Sequence, residues 1–157
     1  MRHRVRFIIL GGIAERMLGS PRTTDDFDIC PAATRANLDR LAAMLNDVKA
    51  LWAPSGTEET GFAPVESWNA ASFKAQTSLA LITAYGKFDL WFRPDGTTGY
   101  DDLLEKAVEV EVGVLKAKVV HLEDSMRIKR TIGGTKYLGH LPLLRDVQRQ
   151  RREQGLD

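Results

Sequence analysis

Two carboxylates separated by a single residue are the feature of this sequence most able to do chemistry. Asp26 and Asp28 flank Phe27, and Ile29 follows. On a β-strand, side chains two residues apart project from the same face, so the two carboxylates would lie side by side while the apolar residues enter a core. Mg²⁺ takes oxygen ligands and keeps coordination positions for water or phosphate. This spacing predicts a divalent-cation site, with a solvated acidic turn that includes Asp25 as the alternative.

A glycine pair precedes these carboxylates and could contribute to the same site. Gly11 and Gly12 follow an apolar strand predicted over residues 5–10 and precede a short helix predicted over residues 13–18. Glycine allows a ligand to approach the backbone closely, and the N–H groups at a helix N-terminus favour anions. The pair therefore predicts a cradle for phosphate, with a simple turn as the alternative.

A third carboxylate lies inside an apolar strand much later in the chain. Residues 78–83 and 87–92 are predicted to form the two strands of a hairpin, and Asp89 lies in the second strand between apolar neighbours. A carboxylate in such apolar surroundings has no obvious structural use. Asp89 is therefore a further candidate for a functional role.

The periodicity of the chain predicts a mixed α/β, or α+β, domain. The strands that carry the three aspartates would share one central sheet with helices packed on it. Further helices are predicted over residues 34–50, 100–107, 122–133 and 137–154, and further strands over residues 108–114 and 116–122. We expect a single domain over residues 1–157, with a core over residues 5–122 and a helical C-terminal part over residues 123–157.

Composition narrows the function classes. The chain has 157 residues, a formal net charge of +1 and one cysteine. The balanced charge gives no sign of a dedicated nucleic-acid or membrane binder, and no apolar segment is long enough to span a bilayer. A single cysteine allows no internal disulfide, which favours a reducing cytoplasm. Cys30 is expected to be a small buried group rather than a nucleophile.

Two further regions allow either a functional or a structural interpretation. Residues 53–76 are irregular and rich in aromatic side chains, which suits a substrate-facing loop or a loop that those aromatics pin to the core. Four arginines near the C-terminus could hold an RNA acceptor or could form a solvated helix end. These arginines are Arg145, Arg149, Arg151 and Arg152.

The ordered set of motifs resembles the polymerase-β-type nucleotidyltransferase superfamily. That family has a glycine pair after an apolar residue, and the match here is Gly11-Gly12. It also has three metal-binding carboxylates, and the matches are Asp26-Phe27-Asp28 after a spacer and the later Phe88-Asp89-Leu90. The finer similarity is to small bacterial nucleotidyltransferases related to AbiEii-type toxins, and it covers nearly the whole chain. It includes Gly19 to Thr23, the Thr83, Gly86 and Asp89 set, and Leu122 to Asp124 leading to Lys129.

This resemblance implies a fold, a reaction and a set of site residues. The fold would be the nucleotidyltransferase fold, and the reaction the Mg²⁺-dependent transfer of a nucleoside monophosphate from an NTP to a hydroxyl group. Asp26, Asp28 and Asp89 would hold two Mg²⁺ ions, or Mn²⁺ in their place, and Asp89 would also activate the attacking hydroxyl. The residues implied in nucleotide binding are Gly11, Gly12, Ser20, Arg22 and Lys129.

The resemblance also implies partners, and it leaves an alternative function open. The acceptor would be a tRNA, a protein or a small molecule, and the toxin relatives imply a cognate antitoxin in the cytoplasm, with no membrane partner. Family members often carry an Arg and two Asp after the helical Lys, whereas Gly134, Tyr137 and His140 stand in those places here. A catalytically weak or inactive partner protein with the same fold is therefore the alternative, and a metal-dependent phosphodiesterase-like hydrolase is a weaker third.

Overall fold

The chain folds around one seven-stranded mixed sheet with helices packed on it. The computed structural model describes residues 2–52 and 64–156. The strands are β1 (Phe7–Leu10), β2 (Phe27–Pro31), β3 (Leu51–Trp52), β4 (Ser78–Thr83), β5 (Gly86–Trp91), β6 (Val108–Val112) and β7 (Leu115–Val119). The helices are α1 (Gly11–Met17), α2 (Arg35–Asp47), α3 (Tyr100–Leu104), α4 (Leu122–Ile132), α5 (Gly134–Leu138) and α6 (Leu141–Glu153), with a 3₁₀ helix at Ala70–Phe73. The predicted mixed α/β class is confirmed.

The strands that carry Asp28 and Asp89 share this sheet, as the sequence predicts, and the structure places them near its centre. The strand order is β3-β4-β5-β2-β1-β7-β6. Strand β2 runs antiparallel to β1 and parallel to β5. Both neighbours of β2 are therefore inner strands, and its side chains are held by paired backbone on each side. A carboxylate on β2 or β5 consequently has a well-defined position.

Apolar cores lie on both faces of the sheet. Ile29 packs with Leu41 and Leu45 of α2, the helix predicted over residues 34–50. Its neighbour Cys30 belongs instead to the core that α1, α3, α4 and α6 share with the sheet. Burial raises the pKa of the Cys30 thiol to about 12, as expected for a small buried group. Because faces alternate along a strand, Asp28 lies on the Cys30 face, next to α1 and α4.

The aromatic residues of the described part of the predicted loop anchor it to the core. Trp68 and Phe73 are buried, and their stacked rings lie 6.0 Å apart. The indole Nε1–H of Trp68 donates to the carbonyl oxygen of Ala50 at 3.0 Å. This confirms the structural interpretation for residues 64–76, whereas residues 53–63 lie outside the described residues.

The C-terminal part differs from the prediction in one respect. A single helix was expected over residues 137–154, but α5 ends at Leu138 and α6 begins at Leu141. Pro142 lies in the first turn of α6, a position that suits a helix start and not a helix interior. The break places His140 at the corner between the two helices. Within residues 2–52 and 64–156, the structure has no helix long and apolar enough to cross a membrane.

Candidate active site

The three aspartates that the sequence grouped lie together at strands β2 and β5. Asp28 and Asp89 are direct partners in the parallel register of these strands, so their side chains leave the same face of the sheet. Asp26 lies one residue before β2, is exposed, and lines the same cavity. Phe27 and Phe88, which alternate with them, stack with ring centroids 5.7 Å apart. The strand pairing thus sets the carboxylates side by side.

Trp91 fixes the orientation of Asp28. The indole Nε1–H donates a hydrogen bond to Asp28 Oδ1 at 3.0 Å. Trp91 lies two residues after Asp89 on β5 and therefore faces the same side of the sheet. The indole N–H is a neutral donor, so it orients the carboxylate without supplying a competing positive charge.

Burial and mutual repulsion disfavour the ionised forms of the paired carboxylates. Burial raises the pKa of Asp28, the Trp91 hydrogen bond opposes this shift, and the charge of Asp26 adds to it. Burial, followed by the charges of Asp28 and Asp26, raises the pKa of Asp89 to about 6. A nearby cation would favour the ionised forms and relieve the repulsion.

The glycine pair brings helix α1 against the aspartates. Gly11 and Gly12 are the first residues of α1, so the helix begins two residues earlier than predicted and the pair does not form a separate turn. A Cβ at Gly11 would collide with Asp28 Oδ2, and a Cβ at Gly12 would lie 2.7 Å from Thr24 Cγ2. Gly11 also has φ +63°, a conformation that favours glycine. Both glycines permit close packing, and both line the cavity.

Carboxylate and cationic side chains line one shared cavity. Its volume is about 230 Å³, and Asp26, Asp28 and Asp89 belong to its lining. Three cationic side chains also line it, namely Arg22, Lys129 and Lys136. Apolar and aromatic groups complete the lining, among them Trp91, Val120, Ile128, Ile132 and Tyr137. A site of this kind suits a ligand with a charged part and an apolar part.

A fully buried carboxylate on α1 contacts two of these cationic side chains, Lys129 and Arg22. Glu15 has no exposed surface. Its Oε1 lies 2.9 Å from Lys129 Nζ and accepts a hydrogen bond from Ser125 Oγ at 2.6 Å. Its Oε2 lies 3.6 Å from Arg22 Nη1 and accepts no hydrogen bond from the part of the chain that the structure describes. Glu15 thus connects α1 to α4 and to the segment before β2.

Arg22 also contacts the corner between α5 and α6. Its Nη1–H donates to His140 Nδ1 at 2.9 Å. Because arginine can only donate, Nδ1 must be unprotonated and the ring neutral. Burial lowers the pKa of His140, and the charge of Arg22 lowers it further. This contact ties the C-terminal helices to the cavity.

The predicted nucleotide-binding residues separate into two groups. Gly11, Gly12, Arg22 and Lys129 line the cavity. Ser20 is buried and is not part of the lining, and its hydroxyl oxygen lies 3.4 Å from the Arg22 backbone N–H, which donates to it. Its hydroxyl group thus contacts the segment that carries Arg22.

Sequence reasoning missed several lining residues, and only some of them left a usable signal. Trp91 follows Asp89 by two residues, and the same alternation that selected the aspartates would have selected it. Lys136 and Tyr137 lie on α5, which was not recognised as a separate helix. Lys136 Nζ and Lys129 Nζ lie 5.5 Å and 5.8 Å from the centroid of the Tyr137 ring.

The C-terminal arginines fit the interpretation as a solvated helix end. Arg149 pairs with Asp146 on its own helix at 2.9 Å. Arg152 pairs with Glu123 of α4 at 3.0 Å. These contacts are exposed, and such pairs stabilise a fold only weakly. None of the four arginines is part of the cavity lining.

The donor atoms suit a hard divalent cation. The candidate ligands are carboxylate oxygens, which Mg²⁺ prefers, and two of them belong to residues in direct register. Among residues 2–52 and 64–156, no group of three or more His, Cys, Asp or Glu side chains stands in an arrangement that could hold a metal ion. The candidate oxygen ligands at this cavity are the register partners Asp28 and Asp89, with Asp26 beside them.

Comparison with known proteins gives no family. The chain matches no model of a protein family and no curated protein.

Proposed function

We propose that this protein transfers a nucleoside monophosphate from an NTP to a hydroxyl acceptor and uses Mg²⁺ as its cofactor. One observation carries the proposal: the Asp28–Asp89 pair shares a cavity with Arg22, Lys129 and Lys136. A triphosphate requires both kinds of group, because cations neutralise its charge and carboxylates hold the metal that its oxygens bind. The motif resemblance to the polymerase-β-type nucleotidyltransferases favours the same reaction.

The metal would be held by Asp28 and Asp89, with Asp26 as a further oxygen donor. When bound, Mg²⁺, or Mn²⁺ in its place, would neutralise phosphate charge and polarise the attacking oxygen. Trp91 would act through Asp28, because its hydrogen bond fixes the carboxylate in one orientation. Gly11 keeps helix α1 close to that carboxylate without a side chain in between.

The side chains of this protein would bind phosphate and accept the proton. Arg22 and Lys129 would donate to the phosphate oxygens. Asp89 would take the proton of the acceptor hydroxyl, as the resemblance implies, because a bound cation keeps this carboxylate ionised and able to accept a proton. The acceptor oxygen forms a bond to the α-phosphorus while the bond to pyrophosphate breaks, and pyrophosphate leaves.

The acceptor and the biological role follow from the resemblance. The acceptor is a hydroxyl group of a tRNA, a protein or a small molecule, and the role is that of a toxin with a cognate antitoxin in the cytoplasm. The apolar part of the cavity around Ile128, Ile132 and Tyr137 would contact the base of the nucleotide.

A specific observation favours the alternative of a weak or inactive partner protein. Tyr137 and His140 line the cavity where family members often carry aspartates. His140 accepts a hydrogen bond from Arg22, which occupies one donor of a predicted phosphate-binding residue. A protein of this kind would bind a nucleotide without transferring it.

A transfer assay distinguishes these two functions. The protein is incubated with each labelled NTP, Mg²⁺, and total tRNA or cell extract, beside an Asp26→Ala/Asp28→Ala variant. We expect label transfer by the wild type and none by this variant. The control is Asp25→Ala, which removes a neighbouring exposed carboxylate and should leave transfer intact. Absence of any transfer that depends on Asp26 and Asp28 would refute the enzyme hypothesis.

A thermal-shift measurement tests ligand binding separately from catalysis. Mg²⁺ together with an NTP should raise the melting temperature, because a ligand that binds only the folded state stabilises it. The rise should vanish in the Asp28→Asn/Asp89→Asn variant. A rise of equal size in that variant would place the ligand elsewhere.

A further inference from the structure

Glu15 is a buried charge that no sequence motif required. It is fully buried on α1, yet its three polar partners come from other segments: Lys129 and Ser125 on α4, and Arg22 before β2. A buried carboxylate is costly unless it is paired and hydrogen-bonded. Its position among these partners therefore calls for a physical explanation.

The partners of Glu15 keep access to the cavity. The side chains of Lys129 and Arg22 remain 10% and 32% exposed, and both line the cavity. An ammonium group has three donors and a guanidinium has five, so one contact with Glu15 leaves others for a ligand. A long flexible side chain loses rotamer freedom when it binds a ligand, and a fixed one has already lost it.

We infer that Glu15 is a positioning residue that holds Lys129 and Arg22 in place to receive the phosphate groups of the substrate. This inference rests on the proposed function, and it assigns Glu15 no contact with substrate. Ser125 supports the arrangement, because its hydroxyl donates to the same oxygen that faces Lys129. The arrangement ties the loop before β2 to α4.

A competing effect of Glu15 predicts the opposite result. Its negative charge lowers the positive potential of the cavity, so removal of that charge alone would strengthen the binding of an anion. If Glu15 positions its partners, removal of the charge instead weakens binding, because Lys129 and Arg22 lose their fixed orientation. The sign of the change therefore decides between the two.

The test measures the affinity of inorganic tripolyphosphate in metal-free buffer by calorimetry. We expect Glu15→Gln to bind roughly tenfold more weakly than the wild type, the size expected for a lost charge-assisted contact. The matched control is Glu123→Gln, which removes an exposed carboxylate from α4 that pairs with Lys106 and Arg152, and it should bind like the wild type. Equal or tighter binding by Glu15→Gln would overturn the inference.

A second variant covers the case in which Glu15→Gln does not fold. Ser125→Ala changes no charge but removes the donor that fixes Glu15, and it should weaken tripolyphosphate binding about threefold. If Glu15→Gln does fold, the two changes should be non-additive, because they disrupt one network. Wild-type affinity in Ser125→Ala, when Glu15→Gln is unfolded, would overturn the inference.

A third measurement separates this inference from the proposed function. The ammonium protons of Lys129 should exchange slowly in the wild type, as seen by NMR, and rapidly in Ser125→Ala and in any folded Glu15→Gln. If the wild type binds neither tripolyphosphate nor an NTP, the proposed function fails while this exchange still reports on Glu15. Slow exchange that persists without the contact would refute the positioning role.

Discussion

Asp89 stands directly opposite Asp28 in the parallel pairing of β2 with β5, and the charge of Asp28 follows burial as a cause of the raised pKa of Asp89. The backbone register holds the two side chains next to each other. Like charges at neighbouring positions on a sheet destabilise it. When no cation is bound, the paired backbone of β2 and β5 therefore keeps the carboxylates of Asp28 and Asp89 together despite their repulsion.

Replacement of Asp89 should stabilise the metal-free protein near neutral pH. The folded-state pKa of about 6 lies above the ordinary value of 3.8, so the folded state binds more protons between these values. The free energy of unfolding must then fall as the pH rises through this window. Asp89→Asn removes that loss, and the gain should be about 1 kcal/mol near pH 7 after allowance for solvent screening. Urea unfolding in the presence of a chelator measures it.

The pH dependence identifies the cause of this gain. At about pH 4 Asp89 is protonated in the folded state and partly protonated in the unfolded state, so Asp89→Asn should then have a much smaller effect than near pH 7. Asp25→Asn, an exposed change nearby, should leave stability unchanged at both pH values. A destabilisation by Asp89→Asn of the same size at both pH values would contradict the repulsion between the paired carboxylates.

Substitution of Gly11 by alanine should both destabilise the fold and displace Asp28. A Cβ at this position would collide with Asp28 Oδ2, and the φ of +63° is unfavourable for alanine. We expect a loss of about 3 kcal/mol in the free energy of unfolding from the combined strain and steric effects. Gly113→Ala provides the matched control, because its φ is +61° and no described atom lies within 4 Å of the added Cβ.

The control isolates the steric part of the effect. Gly113→Ala should cost about 1 kcal/mol from the backbone alone. Gly11→Ala should also weaken Mg²⁺ binding, whereas Gly113→Ala should not. Equal losses in the two variants would show that the contact between Gly11 and Asp28 contributes nothing beyond backbone strain.

The sequence allowed prediction of features that depend on local periodicity. Asp28 and Asp89 were found because an acidic residue among alternating apolar residues is visible in the sequence itself. The prediction that their strands share one sheet follows from the same pattern, and the structure agrees. Trp91 carries the same signal and was overlooked, since an aromatic residue in a strand is usually part of the core.

Long-range contacts could not be predicted in this way. Glu15 lies in a seven-residue helix, and its partner Lys129 is more than a hundred positions away. Nothing in either local sequence indicates that a charge will be fully buried, because burial depends on how α1 and α4 pack. The contact between His140 and Arg22 was equally hidden, since the break between α5 and α6 was not predicted and His140 was expected inside a longer helix.

Removal of the Trp91 indole N–H should weaken cation binding at Asp28. The hydrogen bond lowers the pKa of Asp28 against the effect of burial, so Trp91→Phe should raise that pKa further. It should also weaken Mg²⁺ binding about tenfold, as is typical for a lost partner of a metal ligand. NMR titration of the Asp28 carboxyl carbon and calorimetry with Mg²⁺ measure these two effects. The control is Trp52→Phe, on the edge strand β3, which should change neither the Asp28 pKa nor the Mg²⁺ affinity. An unchanged Asp28 pKa in Trp91→Phe would contradict the role of the Trp91 hydrogen bond.

Acidification should release the corner between α5 and α6 from Arg22. His140 accepts from Arg22 only while Nδ1 is unprotonated, and burial followed by the charge of Arg22 lowers the pKa of the ring. A folded-state pKa below the unfolded value means that the unfolded state binds more protons. The stabilising contribution is therefore present above the ordinary histidine pKa and is lost as the pH falls through the folded-state value.

Titration of the His140 ring by NMR checks both causes of this shift. Arg22→Gln should raise the midpoint, because it removes a cation, but the midpoint should stay below the ordinary value since burial remains. Arg149→Gln changes an exposed arginine that pairs with Asp146, so it should leave the midpoint where it is. A midpoint that Arg22→Gln fails to move would mean that the Arg22 charge does not act on His140.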